Sequence, residues 1–176
     1  MRLFRIVLLA SVVMLAAPSF SEAGFADVSG EALSAAVPAT ALLMTVLKKD
    51  KEGSVQFLES YAAASAAALG LKYTINERRP NGKDRSFPSF HATSAFAGAS
   101  FIQFRYGWTY GIPAYIAASA AGAARIASKD HWVQDVLAGA ALGIASNALI
   151  IKPYKSLTVA PVAENGRIGL IAVKSF

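Results

Sequence analysis

The sequence predicts an all-α protein, a bundle of about five helices that ends in a short C-terminal β-hairpin. Of its 176 residues, 55% are hydrophobic and 16% are charged, which excludes a disordered chain. Long alanine-rich stretches carry apolar side chains at helical spacing, such as Phe57, Leu58, Tyr61 and Ala64. The chain from residue 156 onward instead carries β-branched residues in partial alternation around Asn165-Gly166, a pair typical of tight hairpin turns.

The first 23 residues have the pattern of a secretory signal peptide, which predicts a periplasmic or secreted protein. Arg2 and Arg5 precede the apolar run Ile6–Ala17, and small residues occupy positions 21 and 23. We therefore expect cleavage after Ala23. The alternative is an uncleaved first membrane helix, although the run is shorter than the roughly 20 apolar residues that a span needs.

The helical part follows in order along the chain. Residues 25–30 are expected to form a short loop, and Pro38 is expected to kink or split the first helix. A charged turn over residues 48–53 comes next, with Ser54 as the N-cap candidate of the second helix. Asn76–Phe87 is polar and predicts a loop, and residues 106–111 predict an aromatic turn. The five helices are expected over Glu31–Lys49, Ser54–Leu71, Ser89–Arg105, Ile112–Ser128 and Trp132–Ile151.

No repeat or linker divides these helices, so residues 24–155 are expected to form one helical domain. Residues 156–176 are expected to form the β-hairpin tail, with strands over Ser156–Val162 and Arg167–Val173. Because an isolated hairpin is only marginally stable, it should pack on the bundle or on a partner.

The apolar stretches fit two environments. A secreted domain with a membrane-associated surface is favoured, because several stretches are short and rich in alanine rather than leucine or isoleucine. The alternative is an inner-membrane protein with six spans. In that arrangement the charged turn at residues 48–52 and Lys152 would lie on the same side as Arg2 and Arg5, as the positive-inside rule requires.

The amino-acid composition limits the partners and the catalytic groups that the protein can use. The formal net charge of +6 suits an anionic partner. The sequence contains no cysteine, which excludes thiol catalysis, disulfides and zinc–thiolate sites. It contains two histidines, His91 and His131, and no dense carboxylate cluster, so neither a catalytic metal nor another cofactor is expected. Nucleic-acid binding is not predicted, since the basic residues are not interleaved with an aromatic platform.

Three short motifs concentrate the chemically unusual residues. Each is weakly specific alone, and their joint occurrence in one small helical chain indicates a phosphate site. They are Lys72, six residues, Arg79-Pro80; then Pro88-Ser89-Phe90-His91; then Arg125, five residues, His131, three residues, Asp135.

The residue types suit phosphoryl transfer, in which catalysis depends on positioning and on electrostatic stabilisation of three equatorial oxygens. Lys72, Arg79 and Arg125 supply cations, and arginine offers a fork of donors that matches phosphate. Ser89 and Phe90 open a helix whose first N–H groups can face an anion, and the Ser89 hydroxyl adds a donor.

The two histidines can have separate roles, one as the nucleophile and the other as the proton donor. His131 and Asp135 share a helix face if residue 131 begins the last helix, and the carboxylate can then hold one ring nitrogen and leave the other free to attack phosphorus. His91 can then protonate the leaving oxygen.

The three motifs resemble those of the type-2 phosphatidic acid phosphatase superfamily, which also contains bacterial class A acid phosphatases and vanadium haloperoxidases. The resemblance covers about Lys72 to Gly143. It implies that His131 forms a phosphohistidine, that His91 is the acid and base, and that no metal is needed. It also implies that Lys72, Arg79, Ser89 and Arg125 bind phosphate. The sequence departs from the family at Phe90, where glycine is usual, and at Ala124, where serine is usual.

Each motif residue also has a simpler structural interpretation. Arg79 fits a solvated basic loop, and Ser89 fits a plain N-cap. His91 fits a core histidine, and His131 with Asp135 fits an ordinary i,i+4 helix pair.

The leading function is a phosphatase that acts on a phosphomonoester or diphosphate, with a lipid-linked substrate favoured by the apolar composition. One alternative is a vanadate-dependent haloperoxidase, which the small size disfavours. The other is a non-catalytic envelope protein whose hairpin binds a partner.

Overall fold

The computed structural model describes residues 22–154, 157–164 and 167–174, with side chains described over residues 30–154. It contains the helices α1 (Glu22–Leu47), α2 (Lys51–Thr74), α3 (Phe90–Tyr106), α4 (Trp108–Ala127) and α5 (Val133–Ile150). The predicted all-α bundle of five helices is therefore confirmed over residues 22–154. The predicted signal peptide lies outside the described residues except for its last two positions, which belong to α1.

Four local predictions differ from the structure. Residues 25–30 are helical and belong to the first turns of α1, which begins at Glu22. The helix also continues through Pro38, so the predicted split is wrong and the predicted kink stays a prediction. Gly98 of α3 approaches this point so closely that a Cβ there would lie 2.6 Å from the Pro38 nitrogen, and this packing supports the proline in the helix.

The third error concerns the start of α2, where Asp50 rather than Ser54 is the N-cap. The Asp50 carboxylate accepts a hydrogen bond from the Gly53 amide at 2.9 Å. The Ser54 hydroxyl instead donates to Thr45 Oγ1 at 2.7 Å and so joins α2 to α1.

The aromatic turn is also shorter than expected. Gly107, with a φ of 89°, ends α3 and is the N-cap of α4, so the helix begins at Trp108 rather than at Ile112. Such a φ favours glycine over residues that carry a Cβ.

Helix α3 is central and packs against each of the other four helices. Small residues let α5 approach α3 closely: a Cβ at Gly143 would lie 2.6 Å from the Ala97 nitrogen. Phe57 packs against Phe101 and fills the core at the end of the bundle opposite the α2–α3 and α4–α5 loops. Because successive helices alternate in direction, the α2–α3 and α4–α5 loops lie at one end of the bundle, where the three motifs meet.

Two strands follow the bundle, β1 (Leu157–Glu164) and β2 (Arg167–Lys174). Their backbones pair antiparallel, from Leu157 opposite Lys174 to Glu164 opposite Arg167. The predicted turn residues Asn165 and Gly166 lie outside the described residues. The division of the chain at residues 23 and 155 stays a prediction.

Candidate active site

The site is assembled where four helix ends meet. Lys72 lies in the last turn of α2, and Arg125 lies in the last turn of α4. Ser89 is the N-cap of α3, and Asp135 lies in the first turn of α5. A backbone hydrogen bond of 3.0 Å from the Ser89 amide to the Asp135 carbonyl joins the starts of α3 and α5. The structure therefore brings the three sequence motifs to one place.

His131 and Asp135 are both buried, with side chains 2% and 0% exposed. The His131 Nδ1 lies 3.5 Å from Asp135 Oδ2, at the same helix end and slightly beyond ordinary hydrogen-bond length. The Asp135 Oδ2 also accepts the Trp132 amide at 2.8 Å. With Nδ1 facing the carboxylate, Nε2 is the nitrogen available to a substrate.

Ser86 is a site residue that the motifs did not reveal. It is fully buried, its hydroxyl donates to Asp135 Oδ2, and it lies 3.5 Å from His131 Nδ1. Its own amide donates to the Glu77 carbonyl at 2.8 Å, which fixes it within the α2–α3 loop. The one available signal was its position three residues before Ser89.

The pKa of His131 is lowered from its ordinary value. Burial is the main cause, and the positive charges of Arg79 and Lys72 add to it, while Asp135 opposes it. Both effects disfavour the imidazolium form. The ring is therefore neutral at neutral pH and keeps the lone pair that a nucleophile needs.

Lys72 reaches the loop from the end of α2. Its Nζ donates to the Arg85 carbonyl at 2.8 Å and lies 3.4 Å from the Ser86 carbonyl. Burial and the neighbouring Arg79 lower the pKa of Lys72 to about 8, although Asp135 opposes the shift. Lys72 consequently carries a positive charge at neutral pH and loses it under mildly alkaline conditions.

The two arginines meet on one carboxylate that the motifs did not include. Arg125 Nη2 donates to Asp130 Oδ2, and Arg79 Nη1 lies 3.8 Å from Asp130 Oδ1. Arg125 is buried and Arg79 is partly exposed, so one guanidinium lies deeper than the other. Asp130 directly precedes His131 in the sequence, and this adjacency was the signal that could have found it.

The Pro88-Ser89-Phe90-His91 segment forms the start of α3. The Ser89 Oγ is fully buried and lies 3.4 Å from the Ala92 amide, as in an N-cap. Phe90, the first residue of α3, is half-buried. The pKa of His91 is lowered by burial and then by the charge of Arg125, an effect that Glu31 and Asp130 oppose. Arg79 and Arg125 thus lower the pKa of both histidines.

Within the part of the chain that the structure describes, no three His, Asp or Glu side chains converge as a metal-binding group. The charged groups that do converge are three cations and two carboxylates, a set suited to an anion.

This chain is similar to known proteins over the region that carries the site residues. The family model of the PAP2 superfamily matches residues 53–156. Lipid A 1-phosphatase of Porphyromonas gingivalis is 42% identical over 78 residues, which cover 42% of this chain and 17% of that protein. Lipid A 4'-phosphatase of Helicobacter pylori is 31% identical over 71 residues, which cover 40% of this chain and 36% of that protein. The chain thus spans well under half the length of these relatives.

Two crystal structures share the fold. LpxE of Aquifex aeolicus superposes with a TM-score of 0.63 at 22% identity, covering 72% of this chain and 83% of that one. The transmembrane PAP2-type phosphatidylglycerolphosphate phosphatase of Bacillus subtilis superposes with a TM-score of 0.56 at 20% identity, covering 72% and 71%.

Proposed function

Since this chain belongs to the PAP2 superfamily, we propose that it is a phosphatase that removes phosphate from a lipid-linked phosphomonoester or diphosphate. The observation that carries the proposal is the buried, neutral His131 beside Asp135, with Lys72 and Arg79 acting on the same ring. A neutral imidazole held by a carboxylate and surrounded by cations is suited to attack on a phosphorus that carries negative charge.

The reaction has two steps. His131 Nε2 attacks phosphorus, an N–P bond forms as the P–O bond to the leaving group breaks, and His91 in its protonated form gives its proton to the leaving oxygen. Because the pKa of His91 is lowered, only the protonated fraction of the protein carries out this step at neutral pH. Water then attacks the phosphohistidine, His91 takes the proton of the water, and the N–P bond breaks. Inorganic phosphate leaves, and both histidines return to their starting protonation states.

The cations bind the phosphoryl group during both steps. Arg79 and Arg125 present guanidinium forks, and Lys72 presents a single ammonium group. The amides of the first turn of α3, behind Ser89, add donors at the positive end of the helix dipole. The fixed position of these donors lowers the cost of gathering charge in the transition state.

A lipid substrate is supported by two kinds of observation. The relatives named above are a lipid A 1-phosphatase and a lipid A 4'-phosphatase. In this chain, residues of α4 and Ile144 of α5 line a wide, open apolar surface groove, which is suited to contact with lipid acyl chains. Its lining residues are Trp108, Ile112, Tyr115, Ile116, Ser119 and Ile144.

We further propose that the bundle is embedded in or attached to a membrane. Among the described residues, Gly30–Leu47 and Val133–Ile150 are long and apolar enough to span one, with mean hydropathies of 1.5 and 1.4. Only 33% of each segment is buried inside the bundle, whereas the core helix of a soluble protein is mostly buried. Large apolar side chains are exposed on these helices, at Leu43, Val46, Leu47, Leu137 and Leu149.

A phosphate-release panel tests the function. The purified protein is given a soluble monoester, phosphatidate, phosphatidylglycerol phosphate, an isoprenyl diphosphate and lipid A, each with and without EDTA. We expect release from at least one lipid, persistence in EDTA, and loss in His131→Ala. The proposal fails if the folded protein releases phosphate from none of them, or if His131→Ala keeps the wild-type rate.

A further inference from the structure

Asp130 lies between the two arginines that the proposed function assigns to phosphate. Its side chain is only 10% exposed, and its two oxygens face different guanidinium groups. Oδ2 accepts from Arg125 Nη2, while Oδ1 lies 3.8 Å from Arg79 Nη1. One carboxylate therefore links the end of α4 to the α2–α3 loop.

Further contacts hold Asp130 itself in place. Asn81 Nδ2 donates to Oδ1 at 2.7 Å, and Ser128 Oγ donates to Oδ2 at 3.0 Å. The amides of Asp130 and His131 both donate to the Arg125 carbonyl, at 3.1 and 3.2 Å. Asn81 and Ser128, which have no part in the proposed phosphate chemistry, thus anchor the carboxylate, and its position does not depend on a bound substrate.

We propose that Asp130 is a positioning residue that holds Arg79 and Arg125 ready for the phosphoryl group. The inference rests on the proposed function, since it concerns how the same anion is bound. A guanidinium that gives one edge to a carboxylate keeps its other donors in a fixed plane. The Arg79 Nε is buried and has no hydrogen-bond partner among the described residues, as expected of a donor reserved for a ligand. Arginines fixed in advance bind an anion at a smaller entropic cost.

The same carboxylate could instead compete with phosphate for the arginines, and this alternative predicts the opposite sign. If Asp130 positions the arginines, removing its charge weakens anion binding. If it competes with the anion, removing its charge strengthens anion binding, because a nearby negative charge is lost. The anchoring by Asn81 and Ser128 favours positioning.

The test measures orthovanadate binding directly, by the fluorescence of Trp132 beside His131, together with the KM and kcat for a soluble monoester. The variants are Asp130→Asn, Asp130→Glu and Asn81→Ala. Asp84→Asn is the control, because it removes the same charge from an exposed residue of the α2–α3 loop.

We expect Asp130→Asn to raise the vanadate Kd and the KM by about 10- to 100-fold, the usual scale for lost hydrogen bonds to a charged group, with a smaller change in kcat. Asp130→Glu should restore part of the loss, Asn81→Ala should show a smaller effect of the same sign, and Asp84→Asn should match the wild type.

Tighter vanadate binding by Asp130→Asn, or equal effects of Asp130→Asn and Asp84→Asn, would overturn the proposal. If circular dichroism shows Asp130→Asn to be unfolded, Asn81→Ala replaces it in the test. A higher vanadate Kd in Asn81→Ala than in Asp84→Asn then supports the proposal, and an equal or lower Kd overturns it. Failure of the proposed function is separate: the wild type would then bind vanadate but release no phosphate from any lipid.

Discussion

Gly139 of α5 lies against the Ser89 carbonyl, so close that a Cβ on residue 139 would be 2.4 Å from the oxygen. One turn earlier in α5, the Asp135 carbonyl accepts a hydrogen bond from the Ser89 amide. This contact sets the distance between the start of α3, which carries His91, and the start of α5, which carries Asp135.

Gly139→Ala should therefore reduce both activity and stability. The nearest atom is backbone oxygen, so one helix must shift, and overpacking of this kind costs about 1–3 kcal/mol. Gly70→Ala is the matched control, because a Cβ at Gly70 meets nothing within 4 Å. Alanine at that helical position should leave activity unchanged and raise stability slightly. Thermal unfolding and kcat/KM for both variants check this, and equal behaviour of the two would contradict it.

The two histidines should respond differently to substitution. His131→Ala should abolish turnover of every substrate, because no other side chain can replace the nucleophile. His91→Ala should depend on the leaving group: p-nitrophenolate leaves with little help, whereas an alkoxide needs a proton and should lose about 10²- to 10⁴-fold. Rates for p-nitrophenyl phosphate and an alkyl phosphate measure the difference. Equal losses on both would make His91 a phosphate binder rather than the acid.

Asp135 and Ser86 should act on the rate through the orientation of His131. Asp135→Asn keeps the shape but disturbs the tautomer of the ring, and a loss of up to about 10⁴-fold in kcat is expected. Ser86→Ala removes one donor to Asp135 and should have a smaller effect in the same direction. Ser60→Ala is the control, a fully buried serine on α2 whose hydroxyl bonds only the Phe57 carbonyl among the described residues. If the kcat of Ser86→Ala equals that of Ser60→Ala, Ser86 has no part in orienting His131.

The pH profile of kcat/KM for p-nitrophenyl phosphate, whose leaving group needs little help from the acid His91, should reflect Lys72 and His131. Since the pKa of Lys72 is lowered to about 8, its positive charge is lost as the pH rises through that value, and anion binding should weaken there. Since the pKa of His131 is also lowered, the neutral nucleophile persists well below pH 6.5, and the acid limb should lie below that value. Lys72→Arg keeps its charge and should move the alkaline limb upward. An alkaline limb that stays in place in Lys72→Arg would assign it to another group.

Sequence reasoning reached the motif residues because their spacing is set by local geometry. His131 and Asp135 are four positions apart, and Ser89 precedes a helix start, so both were found without tertiary information. The expected helix face was wrong in one detail, because His131 lies before Trp132, the N-cap of α5, and not in the helix itself. Ser86 and Asp130 were missed because their role depends on contacts between distant segments, such as Asn81 with Asp130.

The same distinction explains the errors in the fold. The break expected at Pro38 follows from local propensity, which close packing against Gly98 overrides. The N-cap at Asp50 was missed because its carboxylate serves a second purpose, a pairing with Arg105 that lies 55 residues away in sequence.

Asp50 and Arg105 form a buried ion pair at the end of the bundle opposite the site. Arg105 donates from Nε and Nη2 at 2.8 and 2.6 Å, and Tyr106 adds its hydroxyl at 2.9 Å. Burial raises the pKa of Asp50, but hydrogen bonds from Arg105, the Gly53 amide and Tyr106 outweigh it, and the net shift is downward. The stability that this shift contributes is present above the unfolded pKa and is lost as the pH falls through the lowered folded value.

Asp50→Asn should destabilise the protein by up to about 3–5 kcal/mol, because it leaves the buried Arg105 guanidinium with only the exposed Glu52 carboxylate, 3.8 Å away, as a counter-charge. Asp84→Asn, at an exposed position, is the control and should change stability little. Replacing both partners, as Asp50→Asn with Arg105→Met, should cost less than Asp50→Asn alone, since no unpaired charge remains. Denaturant unfolding of the three variants measures this, and kcat/KM under folded conditions should stay at the wild-type value because the pair lies far from His131. If Asp50→Asn unfolds no more easily than Asp84→Asn, the pair does not stabilise the bundle.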